Sequence, residues 1–281
     1  MTDSDGHAHP PVPQYSPELF RGTAEYYSLY RPKYPPVVID SLLGRLRLKP
    51  DDRLLDLACG TGEVAFALKD VFAQIWAVDA EPDMIEGARK KADELGVTSI
   101  TWTVARAEDL DFADDVLGVI ATGRAFHRLN RPLVAARALK WLRTKGYFVD
   151  LGIDTSALSS PSEQWLSVAA EVYQRWLPRA QRQREDRRSA GNADQPQATT
   201  EQVLEDAGFL NVEKVAFEVS HMWSVEEFIG YLYSTSYSSK AFWGDASEGF
   251  ERDLRSTLLE LNPSGDFHEM MSAYFTVGQA P

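Results

Sequence analysis

The chain has 281 residues, more than the roughly 100–200 of a typical single domain, so a peptide or a disulfide scaffold is excluded. A hydrophobic share of 44% beside a charged share of 25% is that of an ordinary globular protein and excludes general disorder. With 42 acidic and 29 basic residues the net charge is −13, which disfavours nonspecific attraction to nucleic acid or anionic membrane, and neither partner is expected. The lone Cys59 rules out an intramolecular disulfide framework and a multi-cysteine metal site, and it suits reducing, cytoplasmic surroundings.

Residues 1–14 read as an acidic, proline-containing leader with no apolar stretch. His7 and His9 lie in it without a third ligand, so no metal site is expected. No uncharged apolar run approaches the ~20 residues of a membrane helix. From Arg53 short apolar runs alternate with helical patterns, the rhythm of a parallel sheet with helices on both faces. Arg53 to Ala58 reads as a strand, Glu63 to Phe72 as a helix and Gln74 to Ala80 as the next strand. A helix then starts at Pro82 and stops at Gly96, residues suited to those two ends. Further strands are expected at SITWTV, VLGVIA and GYFVDLG, with a helix or turn near Ala107 and a helix over PLVAARALKWLR. Five parallel strands are complete by Gly152.

Beyond Gly152 the rhythm breaks. A helical stretch around Ser162 to Leu177 runs into an arginine-rich, polar excursion, read as a solvated loop. TTEQVLEDAGF restarts a helix with Thr200 or a neighbour as its cap. NVEKVAFEVS and SAYFTVG alternate as sixth and seventh strands. Between those two strands lie helical segments from Ser224 to Tyr237 and from Ser247 to Leu261, too long for a hairpin connection. The expected organisation is one domain over 15–281, with cap elements from 15–50, 155–198 and 222–265.

In an open α/β sheet, ligands bind beyond the carboxyl ends of the strands. The first such end is LLDLACGTGEV, where Gly60 and Gly62 let backbone approach a ligand and adopt positive φ. By pattern, Gly60, Gly62 and Ala65 also satisfy the dinucleotide fingerprint of an NAD-dependent oxidoreductase. Asp56 stands inside a strand, where an acid needs a donor such as an ammonium group or loop amides. Asp79 ends the next strand, placed to accept from ribose hydroxyls.

The successive segments LLDLACGTGEVAFAL, AVDAEPDMIEGAR, ARAEDL and AFHRLNRPLVAARALKWLRTKGYFVDL resemble the motifs of class I S-adenosylmethionine-dependent methyltransferases. The resemblance extends from about Tyr15 to Gly152. It implies a Rossmann-like α/β fold with a seven-stranded, mostly parallel sheet and a helical cap, and S-adenosylmethionine as cofactor. On it, Asp56 and the Ala58–Gly62 loop hold the methionine portion and Asp79 takes the ribose. Ala80 and Met84 flank the adenine, while Ala107 and Glu108 meet its edge. One departure is that Thr144, Lys145 and Gly146 stand where relatives usually show Pro-Gly-Gly. FRGTAEYYSLYRPKYP resembles the leading helix that closes over the cofactor, with Tyr27, Tyr30, Arg31 and Tyr34 as candidates. Arg31 suits bidentate pairing with the cofactor carboxylate, or else is a surface residue before a proline. The aromatic spacing is equally that of a packed helix face.

The segment GRAFHRLNRP resembles a branch often acting on small molecules. His127 is the candidate general base, because an unperturbed pKa near 6.5 suits proton removal at neutral pH; the alternative is a histidine beside the cofactor. Arg124 and Thr122 are placed to orient an acceptor. Cys59 has no partner histidine and reads as a small loop residue rather than a nucleophile. The cap aromatics Trp223, Tyr231, Tyr233, Tyr237, Phe242 and Trp243 either wall a ring or cation or form core. The net charge of −13 favours a cationic acceptor by steering, so an amine of a natural product such as an amino sugar is expected. Oxygen or carbon acceptors, and a cofactor-binding protein without turnover, are the alternatives.

Overall fold

The structure is a computed structural model and describes residues 22–155, 158, 163–177 and 198–281. The expected leader, the two histidines in it, the beginning of the FRGTAEYY motif and the arginine-rich excursion lie outside those residues. Strands β1 (Leu54–Leu57), β2 (Ile75–Asp79), β3 (Ile100–Val104), β4 (Leu117–Gly123) and β5 (Leu142–Asp154) pair in parallel. Two long strands extend the sheet beyond β5: β6 (Leu210–Ser224) and β7 (Asp266–Gln279). The order is β3-β2-β1-β4-β5-β7-β6, with β7 antiparallel to both neighbours. All four residues of β1 are buried, as a central parallel strand covered on both faces requires.

Strand alternation sends the two sets of side chains into separate cores. Leu55, Leu57, Ile120 and Phe148 pack under α5 (Arg131–Trp141) and α7 (Thr200–Ala207). Leu54, Val119, Ala121, Val149 and Leu151 face the other core, which includes α2 (Pro36–Leu43), α3 (Glu63–Ala67), α4 (Pro82–Leu95) and α6 (Gln164–Trp176). Helix α4 begins at Pro82 and ends on Gly96 at φ 66°, and α7 is capped by Thr199 in a reciprocal box with Gln202. The expected helix to Phe72 is shorter. It stops at Ala67 because the chain leaves helical geometry at Leu68 (φ −109°, ψ 6°) and continues as turns. At the turn before the paired part of β5, Lys145 adopts φ 61°, a left-handed conformation that glycine would adopt at less cost.

The connection between β6 and β7 carries α8 (Val225–Tyr233), α9 (Lys240–Trp243) and α10 (Ser247–Leu261). These helices share the second core with α6, through Trp165, Tyr173, Trp243 and Phe250. Helix α1 (Ala24–Tyr30) packs on both α4 and α8. A methyl group on Gly230 of α8 would sit 2.3 Å from the Tyr30 ring, so glycine there lets α1 lie flush on the cap. Among the described residues no helix is long and apolar enough to cross a membrane.

Candidate active site

The loop after β1 takes an unusual path. Ala58, Gly60 and Gly62 have φ of 51°, 56° and 87°, so three left-handed residues alternate within five positions. A side chain on Gly62 would collide with Trp102 at 2.5 Å, and one on Gly60 would touch Tyr27 at 3.5 Å. The ring of Tyr27 thus stands over the loop. Asp79, at the carboxyl end of β2, ties it down: the Gly60 amide donates to Oδ2 at 2.7 Å and the Glu81 amide to Oδ1 at 2.9 Å. Burial raises the Asp79 carboxyl above its usual range, against the opposing pull of these amides.

Asp56 is fully buried. Its Oδ2 accepts from the Ala65 amide in the first turn of α3 at 3.0 Å, while Oδ1 has no partner among the described residues. Desolvation pushes this carboxyl well above its ordinary value, and the nearby Glu63 and Asp79 add to the effect. Ala80 follows Asp79 directly, and Met84 is buried in the first turn of α4. Ala107 is buried in a single 3₁₀ turn after β3. Glu108, expected to meet an adenine, is already engaged: its Oε1 accepts from the Asn130 amide at 3.0 Å and Oε2 lies 3.7 Å from Arg106 Nε.

A cavity of about 220 Å³ opens at the carboxyl ends of β4 and β5. Tyr27, Arg31 and His127 line it, as do Arg124, Asp154, Tyr231, Tyr237 and Tyr274. The two arginines are arranged alike. Arg31 Nη2 donates to the Ser234 carbonyl at 3.2 Å, and its guanidinium stacks on Tyr27 at 4.8 Å and Tyr231 at 5.2 Å. Arg124 Nη1 donates to the Pro32 carbonyl at 3.2 Å, with its guanidinium 5.7 Å from Tyr27 and 5.4 Å from Tyr34. Arg31 is therefore not a surface residue. Tyr34 is buried and donates to the Leu151 carbonyl at 3.4 Å, and Tyr30 serves packing.

His127 follows β4 in a short 3₁₀ turn, but its acid–base character differs from the expectation. Desolvation, with Arg128 and Arg131 adding repulsion, pushes its imidazolium down to about 4, so at neutral pH the ring is uncharged and only weakly basic. Thr122 does not face an acceptor: it donates to Asp150 Oδ1 at 2.7 Å. Cys59 is buried and its thiol is pushed well up by desolvation, which removes thiolate chemistry. Of the six cap aromatics, Tyr231 and Tyr237 reach the cavity. Trp223 is wholly buried with Nε1 donating to Glu269 at 2.7 Å, and Tyr233 and Trp243 are core. Asp154 was missed because β5 runs on past the expected strand end at Gly152; Tyr274 lies within the expected strand SAYFTVG, whose alternation alone does not show that it reaches a cavity.

Residues 54–146 match the methyltransferase domain family. The chain is 31% identical over 122 residues to the uncharacterized methyltransferase C70.08c of Schizosaccharomyces pombe, covering 41% of this chain and 45% of that protein. It is 30% identical over 102 residues to the uncharacterized methyltransferase YcgJ of Bacillus subtilis, 36% of this chain and 40% of that one. It spans less than half the length of these relatives. In fold it resembles a type II methyltransferase described as putative from Anaeromyxobacter dehalogenans, with a TM-score of 0.57 at 18% identity over 89% of this chain and 97% of the other. Residues 54–146 are thus matched as a methyltransferase domain, and the seven-stranded sheet around them has the fold of that solved structure.

Proposed function

We propose that this protein transfers a methyl group from S-adenosylmethionine to an amine nitrogen of a small molecule. The observation that carries the reading is the tyrosine-walled cavity beside Tyr27 and Arg31. Its roughly 220 Å³ lies below the ~300–1,000 Å³ of drug-sized pockets and suits a compact acceptor. Two buried atoms without partners among the described residues, Asp56 Oδ1 and Arg31 Nε, are an acceptor and a donor, complementary to the ammonium and carboxylate of the cofactor's amino-acid end. Asp79 takes the ribose hydroxyls, and Ala80, Met84 and Ala107 border the adenine.

When bound, the cofactor supplies a sulfonium methyl that an acceptor lone pair takes up as the carbon–sulfur bond breaks and its electron pair returns to sulfur. The protein's work is alignment and exclusion of water. Tyr231, Tyr237 and Tyr274 present aromatic surface that suits an amine's cationic form before it loses its proton. Asp154, the one carboxylate on the cavity wall among the described residues, has its carboxyl raised by desolvation and accepts that proton. His127 at neutral pH offers a hydrogen-bond acceptor.

The deciding measurement is calorimetric titration of cofactor-stripped protein with S-adenosylmethionine, S-adenosylhomocysteine and NAD in parallel. Micromolar binding of the two sulfur compounds, with methyl transfer to at least one member of an amine panel, is the expected result. Binding of NAD alone would overturn the reading, and cofactor binding without transfer to any acceptor would make the protein a cofactor-binding module. For His127→Ala, turnover should fall less than tenfold with cofactor affinity kept. A loss of about 10²-fold or more, within the range of general base catalysis, together with an acid limb near pH 6.5 that the variant abolishes, would restore His127 as the base.

A further inference from the structure

We infer that the acceptor carries a carboxylate and that Arg124 is the residue that anchors it. This deepens the methyl-transfer reading and rests on it. Arg124 occupies the first position after β4 with φ 57°, a left-handed conformation unfavourable for a residue that carries a side chain. Its own amide, donating to the Leu151 carbonyl at 2.8 Å, holds it there. The strain aims a guanidinium into the cavity.

Among the described residues that guanidinium has one hydrogen bond, to the Pro32 carbonyl, and two tyrosine rings for company. Its Nε is buried and has no partner, and no carboxylate among the described residues pairs with it. A buried charge in that condition is costly unless an anion completes it, and the planar fork of arginine matches a carboxylate.

Arg31, on the same Tyr27 ring, has the same incomplete state. The amino-acid end of the cofactor brings one carboxylate, and Arg31 takes it. A second fork then calls for a second anion. Among the described residues the cavity wall places the guanidiniums of Arg31 and Arg124 against the one carboxylate of Asp154, so its local charge opposes the −13 of the whole chain. On this arrangement the acceptor's amine finds Asp154 while its carboxylate finds Arg124.

Three probes of one shape isolate the charge: benzoate, benzamide and benzylamine, titrated by ligand-observed NMR into protein saturated with S-adenosylhomocysteine. Benzoate should bind at least tenfold more tightly than benzamide. In Arg124→Met that preference should vanish while affinity for S-adenosylhomocysteine stays within twofold of the parent, and Arg124→Lys should retain part of it. Absence of any preference for benzoate in the parent protein overturns the proposal. So does a tenfold or greater loss of S-adenosylhomocysteine affinity in either variant, which would assign the guanidinium to the cofactor carboxylate. Should Arg124→Met not fold, the lysine variant decides: an undiminished benzoate preference there removes the fork from the argument. Failure of the methyl-transfer reading shows separately, as absence of S-adenosylhomocysteine binding to the parent.

Discussion

Asp79→Asn is expected to weaken the binding of S-adenosylhomocysteine roughly 10- to 150-fold, equivalent to the ~1.5–3 kcal/mol of hydrogen bonds to a charged group. The carboxylate has two tasks. Its oxygens accept from the amides of Gly60 and Glu81 at 2.7 and 2.9 Å, and its remaining lone pairs are those assigned to the ribose. Asparagine offers one acceptor oxygen and turns an NH₂ toward the other amide, so one tie of the left-handed loop becomes a clash of donors. Both the ligand contact and the loop that supports it are lost together. Calorimetry on the variant, beside a thermal unfolding curve to show that it is folded, checks this. Unchanged affinity in a folded variant would remove Asp79 from the ribose site.

Asp150→Asn should stabilise the protein at neutral pH, by as much as about 3 kcal/mol. Asp150 lies in β5 on the face covered by α7, buried, with its oxygens accepting from Thr122 at 2.7 Å and Thr200 at 3.1 Å. Desolvation outweighs these hydroxyls and raises its carboxyl to about 6 from an ordinary 3.8. The folded state therefore binds the proton more tightly than the unfolded chain does. The stability this contributes is full below about pH 4, is lost as pH rises toward 6 and stays lost above it. A displacement of about two pKa units corresponds to roughly 3 kcal/mol. Asparagine keeps an acceptor for Thr122 and a donor toward Thr200 without the charge. Denaturant unfolding of both proteins at pH 4, 5.5 and 7 should give a difference near zero at the lowest pH that grows with pH. A variant less stable than the parent at pH 7 would mean that the ionised Asp150 has partners stronger than two hydroxyls.

The parallel half of the fold was legible because its signals are local. A buried central strand reads as a continuous apolar run, and Pro82 and Gly96 mark helix ends by steric rules that hold in any context. The antiparallel edge was less so. Strand β6 is largely exposed along its fifteen residues, and its pairing with β7 continues to Ser224 and Asp266, beyond the stretch where alternation is visible. In the site, Asp79, Gly60 and Tyr27 were readable as a motif and come together in space. The charge state of His127 was not, because it depends on burial and on Arg128 and Arg131. Thr122 and Arg124 looked equivalent in sequence. Strand parity turns Thr122 toward α7, while the left-handed turn at Arg124 sends its side chain into the cavity. Among the cap aromatics, composition could not separate Trp223, sealed by Glu269, from Tyr231 on the wall.

The Tyr27 ring covers Gly60 on one side of the site and carries both guanidiniums of the other. On the proposed function, a single aromatic side chain thus belongs to the nucleotide end and to the acceptor end at once. Ligand occupancy at the two ends is then heterotropically linked: whatever factor the cofactor product applies to the acceptor's dissociation constant, the acceptor must apply to the product's.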